Sequence, residues 1–219
     1  MKTLGVLGGM GPAATVDFLA KLQAATPARS DEDHVRVVMD LNPRVPNRHL
    51  DGERAREDLA SMAARLRDAG AEVLAMPCNT AHVAAAAIEA ASGLTLIDMP
   101  GEAVAAAAAG GARRVGVLCT PLALTLYRER LARAGLEAVV LSPEGEAALM
   151  EAIYAVKAGD VGARVRAAMA GCAAELVAGG AEAVVMGCSE VPLALDAAEV
   201  PLVDATEALA RACVRVCLA

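Results

Sequence analysis

Apolar residues along this chain fall into short runs, and most of these runs are followed by a stretch with helical spacing. Thr3 to Leu7 predicts a first strand, Gly8-Gly9-Met10-Gly11 a turn, and Pro12, well suited to a first helical position, the start of a helix to about Ala25. Val35 to Leu41 predicts a second strand. Asn42 to His49 carries two prolines and two asparagines and reads as a long loop. Leu59, Met62, Ala63 and Leu66 recur at helical spacing within Glu53 to Ala69, and Gly70 ends that helix. A strand from Ala71 to Met76, a helix from about Thr80 to Ala91 and a strand Leu94 to Ile97 complete a first set. Strands alternating with helices predict a parallel sheet with helices on both faces.

The chain then starts again. Arg114 to Thr120 echoes Leu4 to Gly8, with Gly5 and Gly116 111 residues apart. Glu137 to Leu141 is a strand, Glu144 to Lys157 and Val161 to Val177 are helices, and Ala183 to Met186 is a strand. Leu202-Val203-Asp204 echoes Leu96-Ile97-Asp98, and a last helix covers about Ala205 to Leu218. The sharpest echo is Ala71 to Thr80 against Ala181 to Glu190, at a fixed offset of 110, with Ala, Glu, Met and Cys in register. The expected fold is therefore α/β: two similar domains of about a hundred residues, each a parallel sheet flanked by helices, related by a pseudo-twofold internal repeat with a boundary near Pro100. Ligands of open parallel sheets bind beyond the carboxyl ends of the strands, so the expected site is a cleft between the halves.

Composition narrows the function classes. At 56% hydrophobic with only two Tyr and one Phe, the core must be built from Ala, Val, Leu and Met. A net charge of -7 argues against a nucleic-acid partner, which demands basic patches. The Ala-rich run Val104 to Ala109 is far short of the ~20 residues that span a bilayer, so no membrane partner is expected. The N-terminus reads directly as strand and turn, so no leader is expected either. Six cysteines without paired metal spacing fit a reduced, cytoplasmic protein whose thiols are mostly core residues.

Cys78 and Cys188 stand apart from the other four. Each ends a buried strand and is followed by small or polar residues. A thiol before a helix is expected to feel the positive end of the helix dipole, which favours thiolate. One such cysteine suggests a nucleophile. Two equivalent ones suggest two-base chemistry, one removing a proton from a carbon and the other delivering a proton to its opposite face. No cofactor motif accompanies them: the glycines from Gly5 to Gly11 do not fit the dinucleotide register and lack a P-loop Lys-Ser/Thr. Arg48 and Lys157 are natural carboxylate contacts, or else surface charges. Asn79, Thr80 and Ser189 suit helix capping as well as substrate contact. Glu190, two residues from Cys188, is expected to hold that thiol protonated and leave Cys78 as the resting thiolate. A zinc set of Cys78, His82 and Cys188 lacks a fourth ligand, and Cys119, Cys172, Cys213 and Cys217 read as packing.

These same residues resemble the aspartate/glutamate racemase family, and its aspartate racemase branch. The resemblance is carried by Gly5 to Thr15, Asn42-Pro43 to Pro46-Asn47-Arg48, Met76 to His82, Ile153-Tyr154 with Val156 to Gly159, and Gly187 to Val191. It covers essentially the whole chain in order. It implies two similar α/β domains, residues 1–99 with a returning C-terminal helix at 205–219, and residues 100–204, with the site between them, often in a homodimer. It implies an acidic amino-acid substrate and no pyridoxal phosphate or metal. Cys78 and Cys188 would be the acid/base pair, with Met10, Asn42, Arg48, Asn79, Thr80, Thr120, Lys157, Ser189 and Glu190 around the substrate. Ser189 stands where the family usually has Thr, Pro121 where a second hydroxyl is common, and Asn47 where Asp is frequent; these bear on substrate preference. Hydantoin racemisation, maleate isomerisation and arylmalonate decarboxylation on related scaffolds are the alternatives, the last needing a single cysteine. A ligand-binding protein with structural thiols is a third.

Overall fold

The computed structural model describes all 219 residues and divides into two compact units, Met1–Met99 with Thr206–Ala219, and Pro100–Ala205. The first holds β1 (Leu4–Gly8), α1 (Pro12–Ala25), β2 (Val37–Leu41), α2 (Gly52–Asp68), β3 (Val73–Ala75) and α3 (Ala85–Ser92). The second holds most of α4 (Met99–Ala109), then β4 (Arg114–Val117), α5 (Pro121–Arg133), β5 (Glu137–Val139), α6 (Pro143–Lys157), α7 (Ala163–Ala178), β6 (Ala183–Met186) and β7 (Leu202–Asp204). The last helix, α8 (Ala205–Leu218), belongs almost wholly to the first unit, where the Cys217 carbonyl accepts the Lys2 N–H at 2.8 Å. All strand pairing is parallel, in the orders β2-β1-β3 and β5-β4-β6-β7. No helix is long and apolar enough to cross a membrane.

The sequence echo is an echo of backbone geometry. Gly5 pairs with Leu74 and Gly116 with Val184, so the pairing of each first strand recurs in the second half with a shift of one residue. Gly70 and Gly180 both turn with positive φ, at 93° and 89°, where a glycine costs least. The Glu72 carboxylate accepts the Thr3 N–H at 2.7 Å, and Glu182 accepts the N–H groups of Arg113 and Arg114 at 2.6 and 3.2 Å. These carboxylates tie the starts of adjacent strands together in each half. Each unit closes over its own core of small aliphatics, Leu59, Met62, Leu66 and Leu74 in the first and Leu149, Met169, Leu176 and Val184 in the second.

Gly5 and Gly116 mark where α2 and α7 lie closest to their sheets. A Cβ at Gly5 would meet Ala71 Cβ and Leu74 Cδ2 at 2.7 Å, and one at Gly116 would meet Leu176 Cβ at 3.0 Å. Overpacking of this kind costs ~1–3 kcal/mol. Gly5→Ala is therefore expected to lower the urea midpoint clearly, and Gly116→Ala less; equal midpoints for both variants and wild type would contradict the close approach.

Three expectations need correction. The strand at Leu94 to Ile97 is reduced to an isolated bridge between Leu74 and Leu96. Pro77, which has no N–H to offer a ladder, stands where the second half has Gly187, and β3 stops at Ala75 while β6 runs one position further. The helix expected from Thr80 opens as a 3₁₀ segment, Thr80–Ala84, before α3 begins. The Cys78 carbonyl, which an α-helix would offer to the His82 N–H, is taken by the His82 side chain, and that N–H bonds to Asn79 at 3.1 Å instead. The third concerns the second half, where Cys188 is followed only by a three-residue 3₁₀ turn, Val191–Leu193, and no α-helix. The helix-dipole account of thiolate character therefore fails for Cys188, and for Cys78 the α-helix starts too far along the chain to act on it.

Candidate active site

The first half-site is built from the ends of β1, β2 and β3. Thr15 holds the glycine-rich turn after β1, its Oγ1 accepting the Gly9 N–H at 2.9 Å and donating to the Gly11 carbonyl at 3.0 Å. Gly9 has φ 99° and lies so close to the Asn42 backbone that any Cβ would come within 2.5 Å of it. Glycine is thus required for the two loops to touch. The Asn42 side chain accepts the Arg44 N–H at 3.0 Å and sits 3.9 Å from Met62 Sδ, so it shapes its own loop. Met10 is buried in the same apolar cluster as Cys78. Arg48 is half-buried. Its Nη1 donates to the Pro46 carbonyl at 3.1 Å, while its Nε is buried without a hydrogen-bond partner. A guanidinium held in that way retains a donor for an incoming carboxylate.

Cys78 sits three residues beyond β3, its N–H bonded to the Met76 carbonyl at 2.7 Å, with Asn79 and Thr80 buried after it. The Asn79 side chain makes no capping bond at the start of the 3₁₀ segment. His82 is also buried, with Nδ1 2.9 Å from the Cys78 carbonyl and Nε2 3.3 Å from the Met99 nitrogen. Both ring nitrogens are engaged with backbone groups, which argues against the zinc-ligand reading of this histidine.

The second half-site carries the charges. Cys188 follows Gly187, where an added Cβ would meet Tyr127 Cε2 at 2.8 Å and Val117 Cγ1 at 2.9 Å. The fully buried Tyr127 ring thus presses on the loop that presents the thiol. Cys188 Sγ lies 3.1 Å from Glu190 Oε2, and Lys157 Nζ lies 2.5 Å from Glu190 Oε1. The Ser189 hydroxyl approaches the same Oε2 at 3.4 Å. Glu190 is only 3% exposed, so its carboxylate is a desolvated acceptor compensated by one ammonium. Burial, followed by the negative charge of Glu190, pushes the Cys188 thiol well above its ordinary range, with Lys157 pulling the other way. Thr120 caps α5, its Oγ1 accepting the Ala123 N–H at 3.3 Å.

The remaining thiols are packing. Cys172 lies in the second core, 3.6 Å from the Gly145 carbonyl; Cys119, Cys213 and Cys217 are buried, and none of the six cysteines is in a disulfide. Burial raises the Cys119 thiol too, so a raised thiol alone marks nothing. The presence of Glu190 and Lys157 beside Cys188 sets it apart. Sequence reasoning missed His82 as a support for Cys78 and Tyr127 behind Gly187. A signal existed for the first: Pro192 occupies the position 110 residues after His82, so the repeat breaks there.

Comparison with known proteins shows the family and the fold. Residues 7–213 match the family model for Asp/Glu/Hydantoin racemase. The chain is 23% identical to the broad specificity amino-acid racemase RacX of Bacillus subtilis, over 99% of this chain and 98% of that one. Among solved structures it is similar to an aspartate racemase of Picrophilus torridus, at 25% identity and TM-score 0.80 over 99% and 94% of the two chains. An aspartate racemase homologue of Pyrococcus horikoshii shares its fold at 23% identity and TM-score 0.82, covering both chains fully. A two-sheet α/β fold that repeats a strand–cysteine turn, matched along nearly its full length, makes this chain a member of the Asp/Glu/hydantoin racemase family.

Proposed function

We propose that the protein interconverts L- and D-aspartate without a cofactor, using Cys78 and Cys188 as opposed acid and base at one α carbon. The observation that carries the reading is the pairing of a repeat with an asymmetry. Two thiols occur at equivalent strand ends, and only Cys188 has a buried carboxylate at 3.1 Å. In this reading Cys78 thiolate takes the α proton, the electron pair is left on the α carbon and its carboxylate, and Cys188 S–H delivers a proton to the other face. The enzyme then stands in the opposite protonation state, ready for the enantiomer. Arg48 and Lys157 bind substrate carboxylates, Lys157 by leaving Glu190, and Met10, Asn42, Asn79, Thr80, Thr120 and Ser189 line the pocket.

Aspartate is favoured over glutamate by the motifs of the aspartate racemase branch, but one methylene is worth only ~1–3 kcal/mol in a pocket, so glutamate is the next substrate to test. A second reading, racemisation of many amino acids, is favoured by the full-length similarity to RacX. A chiral assay in deuterium oxide across acidic and neutral amino acids separates them. Aspartate is expected to racemise fastest and to take up deuterium at the α position. Neither racemisation nor exchange with any acidic amino acid would end the proposal, and equal rates on neutral substrates would establish the broader reading. The reading places the enzyme in the cytoplasm as a homodimer; a solution mass near 22.2 kDa would remove the dimer.

A further inference from the structure

The two cysteine turns are held by different donors. In the second half the Cys188 carbonyl accepts a backbone N–H, that of Val191, at 2.9 Å. In the first half the Cys78 carbonyl faces Nδ1 of His82 at 2.9 Å. The repeat equivalent of His82 is Pro192, which has no side-chain donor. The imidazole is 3% exposed. On its far side Nε2 lies 3.3 Å from the Met99 nitrogen and 3.3 Å from the Ile97 carbonyl. A Met99 N–H can donate only to an unprotonated Nε2, which leaves the ring proton on Nδ1, directed at Cys78. The opposite tautomer would set a bare Nδ1 against the Cys78 carbonyl oxygen, lone pair to lone pair. The Nδ1–H tautomer serves two of the three contacts, the Cys78 carbonyl and the Met99 N–H, whereas the Nε2–H tautomer serves only the Ile97 carbonyl.

We infer that His82 is a positioning residue for Cys78: as the neutral Nδ1–H tautomer it ties the carbonyl of the thiol-bearing residue to the backbone at Met99, and so fixes where Sγ points. The equivalent thiol needs no such strut. The inference rests on the reading of Cys78 as an acid/base residue, because a misplaced thiol matters only if it meets a substrate.

Two measurements on wild-type protein and one variant test it. The chain has three histidines, so a ¹⁵N spectrum of labelled protein resolves their tautomers. His82 is expected as Nδ1–H, and an Nε2–H tautomer would overturn the inference. Iodoacetamide labelling read by peptide mass then gives the ratio of Cys78 to Cys188 reactivity in the folded protein. His82→Phe keeps the ring and deletes both nitrogens. A displacement of about 1 Å costs on the order of 10²-fold in rate, so kcat is expected to fall by about that factor with KM nearly unchanged. The Cys78 labelling rate is expected to change while that of Cys188 does not. Equal changes at both cysteines, or no change at either, in a folded variant would sink it. Where His82→Phe does not fold, His82→Asn replaces it, keeping a donor toward Cys78, and must preserve the wild-type labelling ratio for the inference to stand. Tautomer and labelling ratio need no turnover, so they decide the matter even if aspartate proves not to be a substrate.

Discussion

Cys78→Ala and Cys188→Ala are each expected to abolish racemisation of aspartate while differing in what they leave behind. A positioned general acid or base contributes about 10²–10⁴-fold, so either loss should cost at least a thousandfold in kcat, roughly the upper half of that range. Two-base chemistry also predicts partial reactions. In Cys188→Ala the remaining Cys78 can still remove and return a proton on its own face. One enantiomer of aspartate should exchange its α proton with solvent and keep its configuration. In Cys78→Ala the remaining thiol is Cys188, which burial and Glu190 hold protonated, so exchange of the other enantiomer should be much slower at neutral pH. Proton NMR in deuterium oxide follows exchange, and chiral chromatography follows inversion. A single-cysteine variant that racemises within about tenfold of wild type would remove the two-base mechanism, since a factor of ten is only ~1.4 kcal/mol of barrier. Symmetric exchange in the two variants would leave the mechanism and remove the assigned resting states. Both side chains are small and sit at loop positions beyond the strands, so neither change should unfold the protein.

Much of this was legible in the sequence, for a physical reason. Parallel strands buried on both faces are continuous apolar runs, and the helices between them are long enough to show their period. α1, β6, β7 and α8 therefore lie where the apolar pattern puts them. The repeat was legible because the same contacts recur in each half, with Leu66 and Ala71 against Gly5, and Leu176 and Ala181 against Gly116. A glycine and two small or aliphatic partners, recurring 111 residues on for the glycine and 110 for its partners, leave little freedom for a different register. What the pattern could not show were features decided by single hydrogen bonds. Whether the chain after Cys78 becomes α or 3₁₀ turns on which donor takes one carbonyl, and no periodicity records that. The strand at Leu94 to Ile97 depended on how far its neighbour β3 extends before Pro77, a tertiary matter. The helices α4 and α5 were not foreseen: the first is so rich in alanine that it has no contrast between its faces.

The charged half-site is the place where sequence reasoning and geometry meet most closely. Glu190 was suspect from its spacing alone, two residues after a cysteine, but its partner is Lys157, 33 residues away on α6. Sequence distance hid the pair. The Lys157 side chain is 29% exposed and that of Glu190 4%, so the ammonium can reach an arriving anion and the carboxylate cannot leave. If substrate draws Lys157 away, Glu190 stands uncompensated beside Cys188, and the thiol is held more firmly in its protonated form until the α carbon demands the proton.

That arrangement makes two substitutions act in opposite directions on one thiol. In Glu190→Gln the negative charge beside Cys188 is lost and Lys157 remains. The thiolate then becomes easier to form, and the curve of Cys188 alkylation against pH should move to lower pH, with the rate at pH 8 rising about tenfold for each unit of displacement. In Lys157→Met the favourable cation is lost and the carboxylate remains, so the same curve should move to higher pH and the rate at pH 8 should fall. The sign follows from charge alone: the thiolate is the alkylated species, its fraction grows as pH rises through the pKa, and Glu190 raises that pKa while Lys157 lowers it. Burial, the largest cause of the displacement, is common to both variants and cancels in the comparison. Racemisation should fall in each. Glu190→Gln should lower kcat, by on the order of 10²-fold if the proton donor is no longer reliably loaded. Lys157→Met should also raise KM, because a carboxylate anchor is gone. Alkylation curves that moved in the same direction in the two variants would mean that Glu190 and Lys157 do not act on Cys188 as a charge pair, and the assignment of Cys188 as the resting proton donor would fall with it.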